Sequence, residues 1–159
     1  MRRLLSQLDE GGVEGVRLEA DPPGVRLYQR LGFVDEFVSL RFALPEVPQI
    51  AGEDAATLDL SDVSRIAEFD AEYFGDDREA ALRQYLGHCS GAYWLANQDG
   101  GVRGYVLALP TTQGLRLGPW VASDDAAAGV LFHTVVRHQN TRPLLVLQRH
   151  MARRLRASY

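Results

Sequence analysis

The chain contains no lysine and a single cysteine, and these two scarcities exclude several kinds of chemistry. All 17 basic residues are arginines, so neither a lysine Schiff base nor a lysine general base is available. One cysteine, Cys89, cannot form a disulfide framework or a multi-thiolate metal site. Such sparing use of cysteine is typical of a reducing compartment, and we predict a cytoplasmic protein.

Long hydrophobic runs and a strong excess of charge are missing as well. No apolar stretch approaches the roughly 18 residues of a membrane-spanning helix. The opening MRRLLSQLDEGG turns polar too soon for a signal peptide. A net charge of −4 and a pI near 5.5 disfavour nucleic-acid binding. The 159 residues are 46% hydrophobic, enough for a buried core. We predict neither a membrane nor a nucleic-acid partner.

Hydrophobic periodicity predicts an α+β fold, a mixed and mostly antiparallel sheet with flanking helices. Three β-like segments, AYWLANQ, VRGYVLAL and LRLGPWVAS, follow one another, and Gln98-Asp99-Gly100-Gly101 is a hairpin signal between the first two. DPPG at 21–24 predicts a turn, because its prolines and glycine disfavour helix and sheet. PLLVLQ predicts a buried strand, and RHMARRLRASY a basic terminal helix.

A segment without helical or strand periodicity divides the chain into two parts. PEVPQIAGE, residues 45–53, contains two prolines, a glycine and two acidic residues, which is typical of a linker. The predicted domains are therefore 1–44 and 54–159. Residues 1–44 are too few to bury their own apolar strand and helix, so we expect them to pack on the second domain or on another chain.

Residues 1–44 resemble the end of a GNAT-family acetyltransferase domain. A helix, a strand and the DPPG turn are followed by Leu27-Tyr28-Gln29-Arg30-Leu31-Gly32-Phe33, which is similar to the family's Leu-Tyr-x-x-Leu-Gly-Phe sequence. The resemblance implies acetyl-CoA as the cofactor, with Gly24 and Tyr28 beside it. It also implies that Tyr28 is the general acid that protonates the departing thiolate, a step that suits a phenol with a pKa near 10. The alternative is a tyrosine that packs its ring and bonds locally.

Residues 53–139 resemble the second domain of tandem GNAT proteins, and the whole chain resembles the C-terminal portion of such a protein. The similarity is carried by Asp70, by Phe74-Gly75-Asp76-Asp77-Arg78, by Gly104-Tyr105 and by Gly118-Pro119-Trp120-Val121-Ala122. One interpretation is an acceptor pocket in which Asp70 and Arg78 bind substrate between aromatic walls, namely Phe74, Trp94 and Trp120. The other is an ion pair between Asp70 and Arg78 that holds two helices together.

The phosphate-binding loop of the family has no counterpart in the sequence. GNAT domains hold the pyrophosphate of acetyl-CoA with an Arg/Gln-x-x-Gly-x-Gly/Ala loop at a helix N-terminus. In the second domain the matching position reads Ala122-Ser123-Asp124-Asp125-Ala126-Ala127, with Ser123 as the expected helix cap. Two carboxylates there would repel a pyrophosphate, so we expect an incomplete chain with little activity alone.

Two functions stay open at this stage. The first is acetyl transfer from acetyl-CoA to a small-molecule amine; the second is a non-catalytic GNAT-like module that binds the acceptor or dimerises. The possible macromolecular partners are a second copy or a missing N-terminal GNAT half. No metal is expected, because His88, His133, His138 and His150 lack ligand spacing. The neighbours His88-Cys89 and the pair Glu68 and Glu72 are expected to be structural or solvated.

Overall fold

The structure is a computed structural model that describes residues 1–39, 52–112, 114–139 and 148–154, with the backbone alone at 37–39 and 148–154. It contains two compact units: unit 1, Met1–Phe42 with Val146–Tyr159, and unit 2, Ala43–Leu145. Within the described ranges no helix is long and apolar enough to cross a membrane. The predicted linker lies outside them except for its last two residues, and PLLVLQ except for its last.

Unit 1 is a three-stranded antiparallel sheet with two helices. Its elements are α1 (Arg2–Glu10), β1 (Gly15–Ala20), α2 (Pro22–Arg30), β2 (Val34–Ser39) and β7 (Gln148–Arg154). The strand order is β1-β7-β2, so the last strand lies between the first two and is antiparallel to both. A small core of Leu5, Ala20, Val25 and Phe33 joins the helices to the sheet.

The predicted terminal helix is wrong, because residues 148–154 form strand β7. Arginine, methionine and alanine all favour helices, so the local preference of this segment is helical. Backbone pairing outweighs that preference: six residues of β7 are in register with Gly15–Ala20, and β2 pairs along its other edge. The strand also belongs to unit 1, whereas the predicted second domain, 54–159, includes it.

The predicted turn at DPPG is also wrong, because helix α2 begins at Pro22. Proline is favoured in the first helical turn, where its missing N–H needs no partner and its fixed φ already suits a helix. The amide of Gly24 donates to the carbonyl of Asp21 at 2.8 Å and closes that turn. Helix α2 ends before Gly32, whose φ of 85° is the left-handed conformation that commonly closes a helix.

Unit 2 contains the predicted meander, flanked by helices. Its elements are β3 (Ala56–Thr57), α3 (Val63–Phe74), α4 (Glu79–Leu86), β4 (Gly91–Ala96), β5 (Val102–Thr111), β6 (Gly114–Ala122) and α5 (Asp125–His138). The strand order is β3-β4-β5-β6, antiparallel throughout. The β4–β5 hairpin closes where the Asn97 amide donates to the Gly101 carbonyl at 2.8 Å, with Gly100 at a φ of 81°. The α+β fold class is thus confirmed.

The sheet of unit 2 is covered on both faces. On one face α5 contributes Ala127, Leu131 and Val135 to a core that includes Val106 of β5. On the other, α3 and α4 pack on Tyr105 and Leu107 of the same strand; this core also contains Leu58, Val63, Ile66, Ala67, Leu82 and Ala92. Strand β5 is therefore buried on both sides. One face contacts α5, whose N-terminus is one candidate site, and the other contacts α3, which contains Asp70, and α4, which begins just after Arg78.

Candidate functional site

Gly24 and Tyr28 lie one turn apart on α2 in unit 1. A Cβ atom built on Gly24 would lie 3.5 Å from Cε2 of the Tyr28 ring, an ordinary van der Waals contact. The half-buried ring meets Phe33 edge to face, with centroids 5.7 Å apart and planes at 71°. No residue in the described part of the chain hydrogen-bonds the Tyr28 hydroxyl. The ring is thus packed as the alternative proposed, while its role as a general acid stays a prediction.

Asp70 and Arg78 meet across the break between α3 and α4, as their spacing in the sequence predicts. The guanidinium binds the carboxylate with two hydrogen bonds, Nε to Oδ2 at 2.8 Å and Nη2 to Oδ1 at 2.6 Å. The side chain of Asp70 is fully buried, and that of Arg78 is 22% exposed. Gly75 allows the chain to turn between them, because its φ of 83° suits a residue without a side chain.

A third residue, Tyr105, completes this arrangement, although no pattern in the sequence predicts a role for it in a site. Its hydroxyl donates to Oδ1 of Asp70 at 2.5 Å, and its side chain is fully buried. The carboxylate of Asp70 therefore accepts three hydrogen bonds from protein groups, with no exposed surface for a substrate. We call Asp70, Arg78 and Tyr105 the clamp. A tyrosine within the apolar GYVLAL was the available signal, because a buried hydroxyl needs a partner.

Burial and charge set the protonation of the clamp. Burial, and then the hydrogen bond to Asp70, raise the pKa of Tyr105 well above its ordinary 10.0. Burial by itself would lower the pKa of Arg78, but the hydrogen bond and charge of Asp70 outweigh it and raise that pKa. The guanidinium carbon of Arg78 also lies 3.8 Å from the ring centroid of Phe74, a cation–π contact. Tyr105 is therefore neutral and Arg78 charged over the whole physiological range.

Replacing Tyr105 with phenylalanine is expected to lower the free energy of unfolding by roughly 1.5–2 kcal/mol at neutral pH, the lower part of the range for a hydrogen bond to a charged group. Because the folded-state pKa is raised, the wild-type advantage is fully present below pH 10 and is lost as pH rises further. Urea unfolding at neutral pH and above pH 10 measures both effects. Tyr73→Phe, at a 53% exposed position, is the control. An unchanged difference above pH 10 would contradict the assignment.

Trp94 and Trp120 lie on opposite faces of the sheet, so the predicted pocket with both as walls is wrong. In register, Trp94 of β4 is opposite Tyr105 of β5, and Tyr105 is opposite Val121 of β6. Trp120 is opposite Val106 instead. Opposed residues of an antiparallel pair share a face, and successive residues alternate. Neither periodicity nor motif order distinguishes the two faces until the register is known.

Each tryptophan has its own neighbours. Trp94 is half-buried, with the guanidinium carbon of Arg65 5.0 Å from its ring centroid. Trp120 is 36% exposed and stacks on Phe132 of α5, with centroids 6.2 Å apart and planes at 14°. A substrate-binding role for Phe74, Trp94 or Trp120 stays a prediction, but the three cannot act as one wall.

The N-terminus of α5, which the family resemblance matches to the phosphate loop, is occupied by the protein's own carboxylate. Asp124, rather than the expected Ser123, is the cap, and its Oδ1 accepts the Ala127 amide at 2.8 Å. Arg103 donates to both oxygens of Asp124, at 2.9 and 3.0 Å. Ser123 Oγ adds a bond of 2.9 Å. Arg103 first, then the Ala127 amide, lower the pKa of Asp124, which is charged at neutral pH.

Among the residues whose side chains the structure describes, the remaining titratable groups form no recognisable catalytic group. In the described ranges no three side chains of His, Cys, Asp or Glu are placed to hold a metal. The thiol of Cys89 donates to the Leu86 carbonyl at 3.2 Å, and burial raises its pKa, so the thiolate is disfavoured. Glu68 and Glu72 are exposed on α3.

Solved acetyltransferase structures share this fold. A structure from Pyrococcus horikoshii assigned to the acetyltransferases superposes with a TM-score of 0.74 and 23% identity, covering 98% of this chain and 58% of that one. A GCN5-related N-acetyltransferase from Kribbella flavida gives a TM-score of 0.65 and 20% identity, with 98% and 46% covered. At these identities the likeness defines the class of fold.

Sequence comparison assigns the family. An acetyltransferase (GNAT) domain model matches residues 66–156, more than half of the chain, and the chain therefore belongs to the GNAT acetyltransferase family. The uncharacterized N-acetyltransferase YitH of Bacillus subtilis (strain 168) is 29% identical over 133 residues, covering 80% of this chain and 46% of that protein. The chain thus spans about half the length of the relatives it matches.

Proposed function

We propose that the chain takes part in acetyl transfer from acetyl-CoA to an amine, and that unit 2 is a GNAT-like module that does not itself hold the cofactor. The reaction is general for the family, whose membership rests on the match at residues 66–156. The observation that carries the role of unit 2 is the carboxylate of Asp124 at the start of α5. By the family resemblance, Tyr28 is the candidate proton donor to the departing thiolate.

The residues at α5 do not fit a pyrophosphate. Phosphate sites at helix N-termini need free amides and a local positive potential. Here the Ala127 amide is bonded to Asp124, and Arg103 is bonded to the same carboxylate. Asp125 adds a second negative charge in the first turn. A phosphate would have to displace one carboxylate and approach another, so the resident ion pair excludes it.

The start of α2 in unit 1 is an equally poor binding site for a pyrophosphate. Its first two helical residues are Pro22 and Pro23, which have no N–H to donate. The next amide, that of Gly24, is bonded to the Asp21 carbonyl at 2.8 Å. We infer that the pyrophosphate is held by residues other than these two helix starts, and that unit 2 acts on the acceptor side or as an assembly surface.

Isothermal titration of acetyl-CoA into the 159-residue chain tests the proposal. We expect no saturable heat at concentrations that would fill a micromolar site, one worth about −8 kcal/mol. The same titration of Asp125→Ser, which removes a carboxylate but keeps the Asp124 cap, is expected to stay silent. Suppose that the wild-type chain binds acetyl-CoA at micromolar concentration and that Ala127→Pro, which removes the backbone amide at the start of α5, abolishes this binding. That result would overturn the proposal for unit 2. Binding that survived that change would place the cofactor site elsewhere in the chain.

A further inference from the structure

The segment that leads into strand β3 of unit 2 is bound along its length to helix α5. Arg137 donates from Nη1 to the Gly52 carbonyl and from Nη2 to the Glu53 carbonyl, both at 3.0 Å. Nη2 also lies 3.0 Å from Oδ1 of Asp54. One arginine side chain thus binds three consecutive residues, two through main-chain carbonyls and one through a carboxylate. Charge-assisted bonds of this kind are stronger than neutral ones.

Two further residues of α5 bind the same segment. The hydroxyl of Thr134, which is fully buried, accepts the Ala55 amide and donates to the Val130 carbonyl, each at 2.9 Å. His138 places Nε2 3.6 Å from Oδ2 of Asp54. Residues three and four apart lie on one side of a helix, and positions 134, 137 and 138 have that spacing. The segment therefore follows one side of α5 and takes main-chain partners from it.

The residues that follow cover one edge of strand β4. The two residues of β3 pair with β4, and the amide of Leu58 donates to the Ala92 carbonyl at 2.9 Å. In the described sheet β3 is the end strand, next to β4. An uncovered edge presents a row of unpaired N–H and C=O groups to other chains. We call residues 52–58 the strap, because α5 binds their first half and β4 their second.

The strap buries little apolar surface. Of its seven residues only Ala55 and Leu58 are buried, with 8% and 5% of their surface exposed. The ion pair that holds its start is accessible to water, since the side chain of Arg137 is 28% exposed and that of Asp54 45%. Exposed ion pairs contribute little to stability, and segments with few buried apolar contacts open at a lower free energy than the core. The strap therefore has the properties of a segment that opens before the sheet unfolds.

We propose that the strap opens as one unit while the rest of unit 2 stays folded, and that Arg137 keeps it closed. The closed strap covers the edge of β4, and the open strap exposes the main-chain groups of that edge to other chains. The amides of Ala55 and Leu58 report the opening from its two halves, because the first is bonded to α5 and the second to β4. The proposal is independent of the proposed acetyl transfer.

Native-state hydrogen exchange of the full chain, followed by nuclear magnetic resonance at low urea concentrations, tests whether the strap opens by itself. The amides of Ala55 and Leu58 are expected to share one opening equilibrium and to exchange faster than the amides of β5. Their exchange should depend only weakly on urea, because opening the strap exposes little surface, whereas exchange through global unfolding depends steeply on it. Strap amides with the same urea dependence as β5 would overturn the proposal.

Arg137→Met tests the role of the arginine, because methionine keeps an aliphatic stem and removes every donor. Exchange of the Ala55 and Leu58 amides is expected to become roughly tenfold faster, by the same factor at both, since several charge-assisted bonds are lost. Thr134→Val, which removes the hydroxyl, is expected to accelerate the same two amides. Arg17→Met, the same change at an ion-paired arginine of unit 1, is the control and should leave both unchanged. Circular dichroism checks that each variant folds. Acceleration of Ala55 without Leu58 in Arg137→Met, or of neither amide, would overturn the proposal.

Discussion

Replacing Asp70 with asparagine is expected to lower the free energy of unfolding by roughly 2–4 kcal/mol. Removing one member of a buried ion pair leaves its partner without a counter-charge, which typically costs 3–5 kcal/mol. We place the value somewhat lower because Arg78 is 22% exposed and retains some hydration. Asparagine also turns an NH2 group toward Nε or Nη2 of Arg78, so one acceptor is replaced by a donor. Urea unfolding at neutral pH measures the loss.

The matched control for Asp70→Asn is Glu72→Gln, the same change of carboxylate to amide on the same helix. Glu72 is exposed, and its substitution is expected to change stability by no more than about 0.5 kcal/mol. If Asp70 instead bound an acceptor, Asp70→Asn would leave stability near that of Glu72→Gln. An effect as small as that of the control would therefore refute the clamp and favour an acceptor-binding role for Asp70.

Local signals in the sequence predict most of unit 2. Gly100 and its neighbours define a hairpin within five residues, and the apolar runs on either side have one plausible pairing, so the meander follows from nearest neighbours alone. Strand β7 could not be predicted in this way. Its partners, β1 and β2, lie more than a hundred residues earlier, and its own composition favours a helix. Non-local pairing outweighs local preference there.

The contacts in the candidate site also divide into those that are local in the sequence and those that are not. Asp70 and Arg78 are eight residues apart across a glycine break, so their contact is predictable from spacing. Tyr105 joins them from 35 residues away, through a register that sequence does not supply. The same register separates Trp94 from Trp120, which motif order had grouped together. The contact between residues on either side of the turn between α3 and α4 was predicted, whereas the contacts that depend on pairing across the sheet were not.

Replacing Gly104 with alanine is expected to cost about 2–3 kcal/mol, near the upper end for overpacking a core. A Cβ atom at this position would lie 2.9 Å from Cδ1 of Leu131 and 2.9 Å from the Val121 carbonyl oxygen. The leucine side chain can shift, but the carbonyl belongs to the neighbouring strand β6 and moves only with the sheet. The glycine therefore allows α5 to pack closely on β5. Urea unfolding of the variant measures the cost.

Gly129→Ala is the matched control, because it makes the same chemical change in α5, where a Cβ atom would meet nothing within 4 Å. It is expected to stabilise the protein by roughly 0.5–1 kcal/mol, since alanine is favoured over glycine inside a helix. The effects of the two substitutions on stability should thus have opposite signs; a neutral or stabilising Gly104→Ala would contradict the close approach of α5.

Gly104 and Tyr105 act on opposite faces of strand β5: the first allows α5 to pack closely, and the second completes the clamp with Asp70. The Gly104-Tyr105 pair, one of the motifs that carry the family resemblance, therefore has a structural explanation that does not require a bound substrate.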